Sequence, residues 1–167
     1  QNPDMGLLNW RKLEENFGTE SEYLGFLRDS PSAAQRLCHV LSNSRFLGDA
    51  LNKSVESVTW LGNDEELKPR TRESLDIQTK AALERNAGSI SDFANSVRVM
   101  RRHEIERIGL AWMSGVTDDA TSLAGMTDVY DAIIEASLRW AIRHQLDEMR
   151  FDEAPAAITV IGMGRYG

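Results

Sequence analysis

The stretch DATSLAGMTDVYDAIIEASLRWAIRHQLDEMR, Asp119 to Arg150, decides how this chain is read. Its polar positions Asp128, Asp131, Glu135, Arg139, Arg143, Asp147 and Arg150 fall on one narrow stripe of a helix. Nearly everything else is apolar, including Val129, Tyr130, Ile133, Ile134, Leu138, Trp140 and Ile142. So thin a wet face predicts a long helix that is mostly buried and central. Glu135 with Arg139 and Arg143 with Asp147 stand at i,i+4, pairs worth about 0.2–0.5 kcal/mol each. Asp118-Asp119 read as capping acids at the positive end of this helix and not as a carboxylate pair for catalysis.

Working upstream, a second long helix is predicted from Ser89, whose hydroxyl pairs by spacing with Asp92, to about Ser114-Gly115. Ile90, Ala94, Val97, Ile105, Ile108 and Trp112 make its apolar stripe. Arg101 interrupts that stripe and is expected to pair with Glu104 at a packing interface. The surrounding run VRVMRRHEIER concentrates Arg98, Arg101, Arg102 and Arg107. It reads either as an anion- or partner-binding face, or as a solvated face with Arg101–Glu104 and Arg102–Glu106 pairs.

The first part of the chain reads as short helices that must stabilise one another by packing. Pro3-Asp4 opens a helix from Met5 to Phe17, stopped at Gly18. Thr19 with Glu22 is a capping-box pair before Tyr23, Leu24, Phe26 and Leu27. Ser30-Pro31 gives an N-cap and a proline at the first helical position, and Ser44 caps a fourth helix. Cys38 lies in the apolar run RLCHVL and is expected to be buried. Leu61 to Pro69 (LGNDEELKP) reads as a solvated turn and the one break, followed by a helix from about Arg70 to Asn86.

Downstream, Phe151-Asp152-Glu153-Ala154-Pro155 ends the helical regime, and Ala157 to Ile161 (AITVI) reads as a fully buried strand. Gly162-Met163-Gly164-Arg165-Tyr166-Gly167 then matches G-x-G-x-x-G. Glycines there let backbone N–H groups approach a phosphate closely. A lone pattern of this kind serves several nucleotide folds, so a dinucleotide-binding oxidoreductase and another nucleotide enzyme both fit. The fold expected is mainly α: a multi-helix bundle over residues 1–152, then residues 153–167 as the first strand and loop of an α/β domain.

The totals set limits. With Lys+Arg 19 against Asp+Glu 26, the 167-residue chain carries a net charge of -7, which opposes broad binding to nucleic acid. One cysteine rules out an internal disulfide and suits a reducing, cytoplasmic setting. No stretch approaches the roughly 20 apolar residues of a membrane helix. The chain opens on Gln1-Asn2-Pro3 and stops inside a glycine motif, so it is expected to be an excerpt of a longer polypeptide. His39, His103 and His144 sit on three separate helices without metal-ligand spacing, and no metal site is expected. The two-metal chemistry of phosphoryl transfer uses acids on one strand face, usually D-x-D, and the chain contains no D-x-D.

The order of three segments resembles the glutamine-synthetase adenylyltransferases (glutamate–ammonia-ligase adenylyltransferases). Leu67 to Leu75 (LKPRTRESL) is similar to a Pro-Arg segment ahead of the family's long helices. Val97 to Val116 (VRVMRRHEIERIGLAWMSGV) resembles its R-R-x-E-x-x-R-I-A helix and following turn. Ile158 to Gly167 (ITVIGMGRYG) looks like the strand and loop that continue there as G-x-E-x-x-x-x-S-D-x-D. Trp112 departs from the pattern, since many members carry an acid at that place.

The resemblance implies a helical region ahead of a nucleotidyltransferase domain, the C-terminal of the family's two. It implies Mg²⁺-dependent transfer of AMP from ATP to a tyrosine of glutamine synthetase, with removal elsewhere in the family. The PII signal protein is the implied regulator. Gly167 would be the first glycine of the active-site pair, with Gly162, Gly164 and Arg165 positioning it. No catalytic residue and no metal ligand falls within the chain on this reading, and the chain alone is expected to be inactive and to bind neither Mg²⁺ nor ATP. A helical extension of an NAD(P)-dependent oxidoreductase and a non-enzymatic helical interaction module are the competing readings.

Overall fold

A computed structural model describes residues 2–17, 21–153 and 156–161, with residues 17 and 21 described by their backbone only. Four helices follow one another as the periodicity predicts, α1 (Pro3–Phe17), α2 (Ser21–Asp29), α3 (Pro31–Asn43) and α4 (Arg45–Leu51), and two short elements the sequence did not indicate come next, a 3-10 helix (Val55–Gly62) and α5 (Asp64–Leu67). Then come α6 (Arg72–Arg85), α7 (Ile90–Met113) and α8 (Asp119–Met149). Gly18 and the Thr19–Glu22 capping box lie at or beyond the edge of the described residues.

The local signals act through specific bonds. Ser44 Oγ accepts from Leu47 N at 3.2 Å and starts α4, and Thr71 Oγ1 accepts from Ser74 N at 3.3 Å and starts α6. Ser89 Oγ accepts from Asp92 N at 3.3 Å ahead of α7. Ser30 precedes Pro31 as expected, but its hydroxyl makes no cap bond; the proline supplies the start by its fixed φ. α7 ends where Gly115 turns left-handed at φ 70°, with Val116 N donating to Ala111 O at 2.9 Å. α8 ends in the same way at Arg150, φ 57°, with Phe151 N bonded to Leu146 O at 3.0 Å.

The helical region divides into two compact units; one boundary, Pro69/Arg70, lies at the end of the break read from the sequence, and the other boundaries, inside α7 and α8, carry no local signal. The first comprises Gln1–Pro69 with Ile105–Leu123, the second Arg70–Glu104 with Ala124–Gly167. In the first, α1 packs on α3 and α3 on the 3-10 helix. Its core gathers Leu13, Leu37, Leu41, Leu51, Val58 and Leu110, among others. Leu61 and Leu67 are also fully buried there, so the LGNDEELKP stretch is not a purely solvated turn. Asn63 Oδ1 caps α5 through Glu65 N at 3.0 Å, and the two leucines pin both ends of the turn to the core.

The second unit is smaller in core. Leu83, Phe93, Val97, Ala136 and Trp140 cluster, with Ile133 packed against them. Phe93 and Trp140 stack with centroids 6.1 Å apart, and Trp140 Nε1 donates to Asn86 O at 3.4 Å. Here α8 departs from expectation. Val129, Ala132, Ala136 and Trp140 are buried at three- and four-residue steps, while Tyr130, Ile133, Ile134, Leu138 and Ile142 are half-buried. Two neighbouring helical segments can cover only one side of a third, so within this unit α8 buries a narrow arc and not most of its circumference.

Three further expectations are corrected. Ala157–Ile161 forms no strand and is exposed, Ile161 by 79%. A strand needs a paired neighbour for its backbone groups, and no strand occurs among the described residues. Cys38 lies on the exposed side of α3, where Leu37, Val40 and Leu41 already fill the buried arc. On α7, Ile90 and Trp112 of the predicted stripe are exposed, and charged Glu104, Glu106 and Arg107 are buried in their stead. No helix among the described residues is long and apolar enough to cross a membrane.

Candidate functional site

Gly162, Gly164, Arg165 and Gly167, the residues expected to approach a nucleotide, lie outside the described residues. The chemistry that the structure does place is a set of arginine–carboxylate contacts. They involve the Pro-Arg segment, the Arg-rich helix and the acids of α8.

In the second unit, Arg70 Nε donates to Glu104 Oε1 at 3.1 Å, and the Glu104 side chain is only 4% exposed. The ion pair on Glu104 thus comes from just before α6, while Arg101, the partner suggested by spacing, has an exposed side chain. Two residues on, Arg72 is a hub. It reaches Asp76 at 2.9 Å, Glu135 at 2.5 Å and Asp131 at 3.5 Å. Glu135 also accepts from Arg139 at 2.5 Å, the i,i+4 pair read from the sequence. The Arg72 guanidinium is held above its ordinary pKa, first by the hydrogen bond to Asp76, against some desolvation and with the charges of Asp76, Glu135 and Asp131 assisting. A permanent cation between three acids ties α6 to α8.

Beside this hub is a cleft of about 140 Å³ lined by Thr79, Lys80, Leu83, Glu84, Arg139 and Arg143, among others. It carries both signs of charge. In the first unit, Arg107 lies with its guanidinium carbon 4.1 Å from the Trp60 ring centroid and donates to the Glu66 carbonyl. Trp112, where the family resemblance breaks down, donates from Nε1 to Asp119 Oδ1 at 2.6 Å. Asp118 caps α8 by accepting from Thr121 N at 2.8 Å. The Thr121 hydroxyl and amide together hold the Asp118 carboxyl below its ordinary range.

His39, His103 and His144 remain on α3, α7 and α8. Among the described residues no three His, Cys, Asp or Glu side chains come together in a way that could hold a metal ion. Arg70 and Arg72 were not singled out as site residues by sequence reasoning. The signal was present as two arginines flanking a helix cap, but apart from Asp76, four residues from Arg72, their partners Glu104 and Glu135 lie 34 and 63 residues away, beyond any local spacing rule.

Comparison with known proteins places these contacts in a family. The model of the family described as glutamate-ammonia ligase adenylyltransferase matches residues 34–167. A bifunctional glutamine synthetase adenylyltransferase/adenylyl-removing enzyme of Bifidobacterium longum (strain DJO10A) is 75% identical over the whole chain, which covers 16% of that relative. Relatives of the same name from Leifsonia xyli and Mycobacterium tuberculosis (strain H37Rv) are 39% and 38% identical over 99% of the chain, which covers 16% and 17% of them. No solved structure gives a significant match. The matched region includes both long helices and the arginines and acids that join α6, α7 and α8, and the chain belongs to the glutamate-ammonia ligase adenylyltransferase family.

Proposed function

We propose that this chain is the helical region ahead of a nucleotidyltransferase domain. The enzyme containing it would transfer AMP from ATP to a tyrosine of glutamine synthetase and, in the family, also remove it, regulating nitrogen assimilation. The observation that carries this reading is the 75% identity, end to end, with a relative whose name states both activities. The chain spans 16% of that relative's length, so the activity is assigned to the larger enzyme and not to these helices alone.

On this reading residues 1–152 are scaffold, and residues 153–167 begin the catalytic domain, the C-terminal one of the family's two. Gly162, Gly164 and Gly167 then let backbone N–H groups come close to phosphate, with Arg165 beside them. Mg²⁺ would supply charge neutralisation of the triphosphate. The described residues do not fit that ion, because no group of three candidate ligands forms among them, and its ligands are assigned to the rest of the enzyme. A cytoplasmic setting, with glutamine synthetase as substrate protein and PII as regulator, completes the proposal.

The test uses glutamine synthetase and α-labelled ATP. A polypeptide that joins this chain to the remaining catalytic sequence is expected to label a tyrosine. The 167-residue chain alone is expected to label nothing and to show no saturable binding of Mg²⁺-ATP. Transfer by the chain alone would overturn the assignment of catalysis elsewhere. Failure of the longer polypeptide to label glutamine synthetase would overturn the activity itself.

A further inference from the structure

α7 turns Phe93 and Val97 into the core of the second unit and buries Glu104 on the same side. The opposite side carries Arg98 and Arg102, one turn apart, with Arg101 on the flank; all three side chains are exposed. Like charges at i,i+4 repel one another. The acids whose spacing could have compensated them are not at the surface. Glu104 is buried and engaged by Arg70, and Glu106 is 0% exposed. Arg98 meets only the neutral Asn95 Oδ1, at 3.4 Å. Among the described residues neither Arg101 nor Arg102 makes an ion pair. Val99, 46% exposed, lies beside them. A chain of net charge -7 therefore maintains, on one turn of one helix, three arginines with no acidic partner.

We propose that this face of α7 is a docking surface for an acidic protein segment, one that presents carboxylates around an apolar side chain. Arginine forks pair with carboxylates through parallel N–H donors, and the guanidiniums are already solvated and accessible. Nucleic acid fits less well. The three charges span about 6 Å along the helix axis, too short to track a phosphate backbone, and the rest of the chain repels polyanions. Val99 supplies the apolar contact that a mixed acidic and apolar peptide fills and a phosphodiester does not. This inference stands whether or not the AMP-transfer reading holds.

The test is fluorescence anisotropy with the 167-residue chain and a labelled synthetic peptide of Glu, Asp and Leu. Saturable binding is expected, weakened roughly tenfold or more in R98E/R102E and by added salt. R98K/R102K is expected to retain part of the affinity, and R45E, an exposed charge on α4, to leave it unchanged. Helix content by circular dichroism is expected to be the same in all variants, and R98Q/R102Q repeats the loss with a smaller perturbation. Absence of peptide binding, wild-type affinity in R98E/R102E and R98Q/R102Q, or stronger binding of a short single-stranded oligonucleotide would each overturn the proposal.

Discussion

Arg70 Nε stands 3.1 Å from Glu104 Oε1, and the two differ sharply in exposure, 43% for the arginine side chain against 4% for the glutamate. The asymmetry makes the pair unequal to mutation. Removing Arg70 takes a guanidinium away from a buried carboxylate, whereas removing the charge of Glu104 leaves an arginine that water can solvate. Arg70→Ala is expected to destabilise the chain by about 1–3 kcal/mol, and Glu104→Gln by clearly less. Denaturant unfolding of both variants checks this. Equal losses would mean that Glu104 owes little to Arg70.

The glycine at position 48 is set by close approach. A Cβ there would come 2.8 Å from Asn9 Nδ2, and Asn9 cannot withdraw because the same nitrogen donates to Leu41 O at 2.9 Å. Gly48→Ala is expected to cost about 1–3 kcal/mol. Gly25, in the interior of α2, has nothing within 4 Å of such a Cβ. Gly25→Ala is expected to gain about 0.4–1 kcal/mol through helix propensity and a stiffer unfolded chain. Thermal or denaturant unfolding of the two variants should move in opposite directions.

Asp118 gives a pH signature. Its folded pKa is lowered, chiefly by the hydrogen bonds from Thr121, so the ionised carboxylate stabilises the start of α8. That contribution is complete above the unfolded value of about 3.9 and is lost as pH falls through the lower folded value. The stability difference between wild type and Asp118→Asn is therefore expected to be constant near neutral pH and to shrink on acidification below about pH 4. Unfolding midpoints measured in parallel across that range test it; a pH-independent difference would remove the charge from the account.

Cys38 is exposed, and its thiol should react in the native protein with one equivalent of a disulfide reagent, without denaturant. Cys38→Ser is expected to change stability by less than about 0.5 kcal/mol. Reaction only after unfolding would restore the buried reading.

The misplacement of Cys38 and of α8 has one physical origin. An apolar run such as RLCHVL shows that α3 has a buried arc, but the width of that arc depends on how many neighbours cover the helix. The same applies to α8, whose sequence could serve a central helix, yet of its large or branched apolar side chains only Val129 and Trp140 are fully covered, with Ala132 and Ala136 between them. The pair Glu135–Arg139 was readable because both partners share a helix, but the equally local spacing of Arg101 and Glu104 misled, because Arg70 from a distant segment engages the buried Glu104. Arg72 with Glu135 was not readable, because no spacing rule spans 63 residues.

From sequence alone came the mainly helical class, the two long helices with their starts at Ser89 and Asp118, the cap of the short α4 at Ser44, and the family. Each rests on bonds or periodicities within a few residues, or on the order of motifs along the chain. Tertiary structure decided the rest: the division into two units, the partner of Glu104, the burial of Glu106 and Arg107, and the exposed arginines of α7. Those outcomes depend on which side of each helix a distant segment covers. The free energy of burying a charge or an apolar group is settled there, and not by its neighbours in sequence.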